Sequence, residues 1–199
     1  MFLRIILIST LMLLCSGAAL AQTPGPQFWR KLTCEPFEPR NTLEAFENSS
    51  AFIFKGFARI TTVDVRGVRI DAIEMRTLDN ATIMGVTMAK GVVIALREGG
   101  ERPNQDRAFV DYREIDRLLN AIDVISRVDE TATKLPGFEA RYRTWGDLEI
   151  SVFRQTRSGT AVMMRTGLCD QATVSMSLDD LAKIKAMIQE AKARLDEIK

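Results

Sequence analysis

Two arginines and a tryptophan alternate along one predicted strand, a pattern that could bind an anion or a planar ring. Arg141, Arg143 and Trp145 occupy every second position near the end of residues 138–145. Side chains at that spacing lie on one face of a strand. A guanidinium group binds carboxylate or phosphate through two parallel hydrogen bonds and also stacks on aromatic rings. With one arginine from a second predicted strand, the candidate binding residues are Arg141, Arg143, Trp145 and Arg165.

The same pattern is also typical of a solvated sheet face that binds nothing. Glu139 shares the face of Arg141 by its spacing, and Glu149 lies on the next predicted strand. Either carboxylate could neutralise the arginines in cross-strand pairs. The sequence leaves both interpretations open, because the pairing register that decides between them is set in three dimensions.

Acidic residues gather where two helices are predicted to begin. The two groups are Asp111, Glu114 and Asp116, and Asp179 and Asp180. Paired carboxylates can act as acid and base or hold a cation. Acids at helix N-termini are, however, favoured by capping and by the helix dipole. We adopt the capping interpretation, with Asp111 and Glu114 as the capping pair of the first helix and Ser177 and Asp180 as that of the second.

The composition excludes several chemistries. The chain has no histidine, which removes the commonest general base, the commonest zinc ligand and the Ser-His and Cys-His nucleophile pairs. It also has no EF-hand spacing, Gly-rich phosphate loop or Gly-x-Ser-x-Gly motif. Its methionines are expected to fill gaps in the core. The sequence therefore predicts no catalytic residue, no metal site and no cofactor.

The first twenty-one residues have the pattern of an export signal. Arg4 precedes an apolar stretch over residues 5–14, and residues 19–21 read Ala-Leu-Ala, the small-x-small pattern that signal peptidase requires. The alternatives are an uncleaved anchor and acylation of Cys15, which the bulky residues before that cysteine disfavour. We expect cleavage after residue 21 and a periplasmic or secreted protein, with no membrane contact after cleavage.

Export would leave a neutral chain with one pair of cysteines. Cleavage removes one of the 27 basic residues and none of the 26 acidic ones, so the mature net charge is zero. A neutral chain disfavours a dedicated polyanion binder. Cys34 and Cys169 remain, and an isolated pair outside the cytoplasm most often forms a disulfide. Two buried thiols, or one free reactive thiol, are the alternatives.

The mature chain divides into two units with the same order of elements. A short helix opens at the capping box of Asn41 and Glu44. Period-two and β-branched segments predict strands at 51–65, 68–77, 91–98 and 106–112, then at 138–145, 148–155, 159–166 and 172–176. Apolar residues three and four apart predict a helix after each set of strands: Ile115, Leu118, Leu119, Ile122 and Ile125 in the first, and a face over residues 178–198 in the second.

The predicted fold class is α+β, with two pseudo-repeated units of four antiparallel strands followed by a helix, packed as one domain. The segments are the signal peptide (1–21), a Pro-rich arm with the short helix (22–50), the first unit (51–128), a linker (129–137) and the second unit (138–199). Matching positions support a repeat: Gly91, Arg97 and Gly99 correspond to Gly159, Arg165 and Gly167. These glycines are expected to begin the third strand and to turn it into the fourth. Chance similarity of two amphipathic units is the alternative.

Two stretches carry a resemblance to known proteins: residues 111–116, Asp-Tyr-Arg-Glu-Ile-Asp, and residues 138–148, Phe-Glu-Ala-Arg-Tyr-Arg-Thr-Trp-Gly-Asp-Leu. Through them the chain resembles a group of uncharacterised exported bacterial proteins over most of its mature length. That resemblance implies bacterial export and no particular activity. The doubled order of strands and helix is more distantly similar to the PUR and Whirly nucleic-acid-binding domains. This second similarity is one of topology, because the chain has no PUR or Whirly signature motif, and fold does not imply function.

Three functions follow as hypotheses. The first is an exported, non-enzymatic domain that binds a partner, such as a protein, or a ligand through a sheet surface, and it would show an exposed apolar or aromatic patch. The second is polyanion or single-stranded nucleic-acid binding on an arginine-rich sheet face, which the neutral charge disfavours and steep salt dependence would reveal. The third is a carboxylate-based enzyme, which needs a pocket with converging acids.

Overall fold

The computed structural model describes residues 38–101, 103–129, 131–134, 137–155, 159–167 and 171–198. The predicted signal peptide, most of the Pro-rich arm and both cysteines of the predicted disulfide, Cys34 and Cys169, lie outside these ranges. In chain order the elements are α1 (Thr42–Glu47), β1 (Ile53–Arg59), β2 (Val68–Thr77), β3 (Met88–Arg97), β4 (Gln105–Asp111), α2 (Tyr112–Ser126), β5 (Glu139–Arg143), β6 (Glu149–Gln155), β7 (Gly159–Thr166), β8 (Ala172–Met176) and α3 (Leu178–Asp196).

The strands form two antiparallel sheets in sequential order, β1-β2-β3-β4 and β5-β6-β7-β8, and each sheet is followed by a helix. The predicted α+β class and the two similar units are confirmed. One core joins the units, because buried apolar residues of both sheets and both long helices belong to a single cluster. Its fully buried members include Ile94 of the first sheet, Ile150 of the second sheet, Leu118 of α2 and Ile184 of α3.

Helix α3 bridges the two units. Its predicted apolar face is buried from Leu181 to Leu195, and the helix packs against α2 and against β2, β3 and β7. Lys90 of β3 donates to the carbonyl oxygens of Leu195 and Ile198 at 2.8 and 3.1 Å. Carbonyls at a helix C-terminus lack partners within the helix, so this lysine from the first sheet stabilises the end of α3.

The central strands of the first sheet are buried on both faces. One face contributes to the shared core, and the other packs against Leu43 and Phe46 of α1 through Ile73, Val93 and Phe109. A strand covered on both sides has no exposed face that would need polar residues. This explains the nearly continuous apolar run of β3.

Two predicted strand boundaries in the first sheet are wrong. Strand β1 covers Ile53–Arg59 rather than residues 51–65, because the following chain turns inward at Ile60 and Val65, which are buried in the core. Apolar residues there indicate burial and not continued strand.

Strand β3 begins at Met88, so Gly91 lies inside the strand instead of starting it. A Cβ at Gly91 would lie 2.2 Å from the carbonyl oxygen of Val110 and 2.6 Å from Cδ1 of Leu43. The glycine is therefore needed for close packing of α1 on the sheet, whereas its counterpart Gly159 does begin β7 as predicted.

The two units approach each other closely at Gly146. It lies in the turn between β5 and β6, where a Cβ would lie 1.9 Å from the carbonyl oxygen of Phe109 and 2.6 Å from Nδ2 of Asn41. Backbone cannot yield as a flexible side chain can, so Gly146→Ala should lower the free energy of unfolding by about 2 kcal/mol. Urea denaturation measures this loss.

Gly137→Ala is the matched control, because a Cβ there meets no atom within 4 Å. Its expected effect is below about 0.5 kcal/mol. Equal stability of the two variants would contradict the close approach at Gly146.

Candidate functional site

Three of the four candidate binding residues surround one buried carboxylate. Glu149 on β6 is 4% exposed. Arg143 donates to its Oε2 through both Nε, at 3.1 Å, and Nη2. Nη1 of Arg141 lies 3.8 Å from the same oxygen, and Nη1 of Arg165 lies 3.8 Å from Oε1. We call this group, Arg141, Arg143 and Arg165 with Glu149, the arginine face.

Strand register explains why these residues meet. Glu149 pairs with Arg143 on one side and with Arg165 on the other. Arg141 lies two residues from Arg143 and therefore on the same face. Glu149 pairs with these arginines, as the interpretation of a neutralised sheet face expects, but one carboxylate is shared by three guanidinium groups. Glu139, at the far end of β5, belongs to no ion pair within the described residues.

Trp145 does not continue the arginine face. Strand β5 ends at Arg143, two residues earlier than predicted, and Trp145 lies in the following turn. Its ring instead contacts two arginines of α2, with guanidinium carbons 5.3 Å (Arg113) and 5.4 Å (Arg117) from the ring centre. Cation–π contact with α2 therefore fixes the half-exposed ring near the junction of the two units.

A cleft of about 520 Å³ opens where β8 meets the loops of the first sheet. Its wall includes Arg66, Arg97 and the hydroxyl-bearing residues Thr173 and Ser175. Glu98, also in the wall, accepts the backbone N–H of Thr173 at 2.8 Å and so ties the two units together. We call this cavity the basic cleft.

The two arginines of the basic cleft have no carboxylate partner among the described residues, and both are exposed. The space above Gly99 and Gly100 is open, because a Cβ at either position would meet nothing within 4 Å. A ligand can therefore approach the backbone there. Thr173 pairs in register with Arg165, so the basic cleft adjoins the arginine face.

The sequence patterns do not mark Arg66 or Arg97 as binding residues. Arg66 lies between two predicted strands, and Arg97 stands out only as the counterpart of Arg165 in the second unit. That correspondence was the one available signal, since matching positions in two packed repeats can meet at the boundary between them.

The prediction that Asp111 and Glu114 cap α2 is wrong. Asp111 precedes α2 but makes no side-chain cap hydrogen bond. Its carboxylate accepts the backbone N–H groups of Thr42 and Leu43 of α1, each at 3.0 Å. Glu114 accepts the backbone N–H of Trp145 at 2.9 Å. Tertiary packing brings unpaired backbone donors to both acids, so they hold other elements and not the start of α2.

Two further acids at helix starts, Asp116 and Asp180, form ion pairs with lysines. Ser177 Oγ accepts the backbone N–H of Asp180 at 3.1 Å, which confirms the cap of α3. Asp116 forms an ion pair with Lys192 at 3.1 Å. Within the described ranges, no group of three or more acids or cysteines could hold a metal ion.

The pKa values of two buried glutamates, Glu114 and Glu44, are raised. Burial raises the pKa of Glu114, and nearby Asp111 raises it further against the lowering effect of the Trp145 N–H. Burial likewise raises the pKa of Glu44, whose carboxylate accepts the backbone N–H of Arg40 at 2.9 Å. Oε2 of Glu114 is buried and has no hydrogen-bond partner in the described part of the chain, an environment that favours the protonated acid.

The first sheet exposes an aromatic surface along β1. Phe52 is 74% exposed, Phe54 63% and Phe57 70%, and Leu78 beside Phe52 is also exposed. We call Phe52, Phe54 and Phe57 the aromatic edge. By strand alternation Phe52 and Phe54 share one face and Phe57 lies on the other, so exposed apolar side chains line this edge of the sheet on both faces.

Comparisons with known proteins leave the family open. No protein-family model matches the chain, and no curated protein sequence matches it either. Among the described residues, no helix is both long and apolar enough to cross a membrane.

Glu114→Gln should change the pH dependence of stability. A raised folded-state pKa means that the folded chain holds this proton longer than the unfolded chain does, so wild-type stability falls as pH rises from the unfolded pKa through the folded one. The glutamine oxygen can still accept the Trp145 N–H and carries no charge. The variant should therefore gain stability relative to wild type between about pH 4 and about pH 7.5.

Urea denaturation at both pH values measures this difference. The control is Asp116→Asn, on the same helix but exposed and paired with Lys192. A stability difference between wild type and Glu114→Gln that stays constant with pH would contradict the assignment.

Proposed function

We propose that this chain is an exported, non-enzymatic domain that binds an acidic ligand at the basic cleft and along the arginine face beside it. The observation that carries this proposal is the pair Arg66 and Arg97, which line one cavity without a carboxylate partner among the described residues. Unpaired arginines that converge on a cavity are suited to a ligand that supplies the missing negative charge.

The chemistry of the cleft favours a carboxylate or phosphate group. Guanidinium groups bind both in a bidentate manner, and the hydroxyls of Thr173 and Ser175 can donate further hydrogen bonds. The volume of about 520 Å³ falls within the range of small-molecule sites. A single anionic group or a short acidic segment therefore fits the cavity.

A polyanion is the second candidate. The observation in its favour is the excess positive charge of the arginine face, which adjoins the basic cleft through the pairing of Arg165 with Thr173. A chain of anionic groups could contact Arg141 and Arg143 and continue into the cavity. The neutral charge predicted for the mature chain implies weaker non-specific attraction than most nucleic-acid binders have.

The non-enzymatic part of the proposal rests on where the carboxylates lie. Among the described residues, the wall of the basic cleft contains one acid, Glu98, whose carboxylate accepts the Thr173 N–H. The glutamates with raised pKa, Glu44 and Glu114, are buried elsewhere and accept backbone N–H groups. Acid–base catalysis needs such groups to face a substrate.

Anisotropy of a labelled heparin hexasaccharide, with citrate as a small competitor, tests the proposal. The full chain should bind at low salt and more weakly at physiological salt. The double variant Arg66→Gln/Arg97→Gln should weaken binding at least about tenfold, because it removes both unpaired cations. Arg127→Gln/Lys134→Gln removes the same charge from exposed sites near the end of α2 and should change affinity less than about twofold.

The outcomes separate the two candidates. Loss of citrate competition in the cleft variant alone supports a small anion. Weakening of heparin binding by Arg141→Gln/Arg143→Gln as well supports a polyanion. Equal weakening by the cleft and control variants, or no binding at low salt, would refute both.

Export and the disulfide between Cys34 and Cys169 complete the proposal, and both rest on the sequence pattern. Intact-mass analysis of the chain expressed with its N-terminal segment should give a protein that begins at Gln22. Reduction should add the mass of about two hydrogens, as expected for one disulfide. A mass that retains residues 1–21, or one unchanged by reduction, would contradict the corresponding part.

A further inference from the structure

Strand β1 is an edge strand, and alternate residues direct their backbone groups away from the sheet. Ile60 N–H donates to Ile70 O at 3.0 Å, and Leu78 N–H donates to Phe52 O at 2.9 Å. Hydrogen-bonded residues alternate along an antiparallel pair, so the even-numbered residues bond to β2. No described strand pairs with the other edge. The residues that present N–H and C=O groups there are Ile53, Lys55, Phe57 and Arg59.

This edge lacks the usual protection against strand pairing. Natural edge strands commonly carry free charges, especially lysine. The two cations of β1 are already paired within the chain: Lys55 Nζ lies 2.6 Å from Glu47 Oε2, and Arg59 Nε lies 3.2 Å from Asp71 Oδ1. These ion pairs lower the cost of placing an apolar residue opposite either cation, whereas two cations directly opposite each other would still repel.

Gly56, at the centre of β1, has no role in packing within the described chain. A Cβ there would meet nothing within 4 Å, and the backbone does not adopt a positive φ that would require glycine. Glycine in a strand interior otherwise weakens the strand, and it often marks close approach by another backbone. On the same face, the exposed ring of Phe54 lies on one side of this open position and Ala58 on the other.

We propose that β1 pairs with β1 of a second copy of this chain, antiparallel about a twofold axis at Gly56, to form one continuous eight-stranded sheet. In this register Ile53 faces Arg59 of the second copy and Lys55 faces its Phe57. All four outward-facing residues then exchange hydrogen bonds with their partners, and the full length of each strand is paired.

Charge selects this register over its neighbours. With the axis at Gly56, each cation faces an apolar residue, and Lys55 can contact the ring of Phe57. Moving the axis to Lys55 places lysine opposite lysine, and moving it to Phe57 places Lys55 opposite Arg59. Like charges directly opposite each other destabilise a strand pair.

The proposed arrangement also explains why position 56 is a glycine. Phe54 faces Ala58 of the second copy and lies diagonally across from its Gly56 on the same sheet face. Side chains at that diagonal are within reach of an aromatic ring. The ring of Phe54 can therefore cover the backbone of the partner's Gly56, and a second ring does the same across the axis.

Sedimentation velocity of the full chain over a concentration series tests the proposal. The wild-type chain should sediment as a dimer at micromolar concentration. Phe57→Lys places the introduced lysine opposite Lys55 of the second copy, and dimer affinity should fall at least about tenfold. The matched control is Val124→Lys on α2, where the native side chain is 57% exposed, and it should remain dimeric.

A charge exchange tests the register itself. Lys55→Glu/Phe57→Lys places opposite charges across the axis and should restore the dimer to within about threefold of wild type. A wild-type chain that is monomeric at high concentration would overturn the proposal, as would a Phe57→Lys variant that stays dimeric. A double variant that is folded by circular dichroism but remains monomeric would overturn the register and with it the proposal.

Discussion

Buried backbone donors at the meeting point of α1, β4, α2 and the β5–β6 turn constrain the rest of the structure. Asp111 accepts two N–H groups of α1, and Glu114 accepts the N–H of Trp145. Asn41 donates from its side chain to Phe109 O at 2.8 Å, and Arg40 forms an ion pair with Asp147. A buried donor without a partner costs more free energy than a typical hydrogen bond contributes. The two units can therefore meet only in a geometry that satisfies these groups together.

That geometry determines where charge is exposed. With the units fixed, Glu98 of the first sheet reaches the backbone of β8, and Asn104 donates to Gln171 O at 3.1 Å. The loops that carry Arg66 and Arg97 then lie against β8, and the basic cleft forms between them. Neither unit alone contains this cavity. The arginine face, in contrast, depends on pairing within the second sheet only.

The first strands of the two sheets expose different kinds of side chain. Strand β5 exposes Glu139, Arg141 and Arg143 on one face, so charge surrounds that edge of the second sheet. Strand β1 exposes rings instead, and its cations are paired internally. Charged edges resist association and apolar edges promote it. The two repeats thus share a topology while one presents a surface for charged ligands and the other a surface for a strand.

Local patterns in the sequence were sufficient for the fold class, because they depend on periodicity alone. The apolar face of α2, the cap of α3 at Ser177 and the four strands of each unit follow from spacing within short segments. The partners of Asp111, the position of Gly91 inside β3 and the convergence of Arg66 with Arg97 were decided by tertiary structure. Each joins residues far apart in the chain, and the free energy of burial that brings them together is not encoded in any single segment. The pairing of Glu149 with three arginines was also decided by tertiary structure, because it depends on a strand register that only the packed sheet defines.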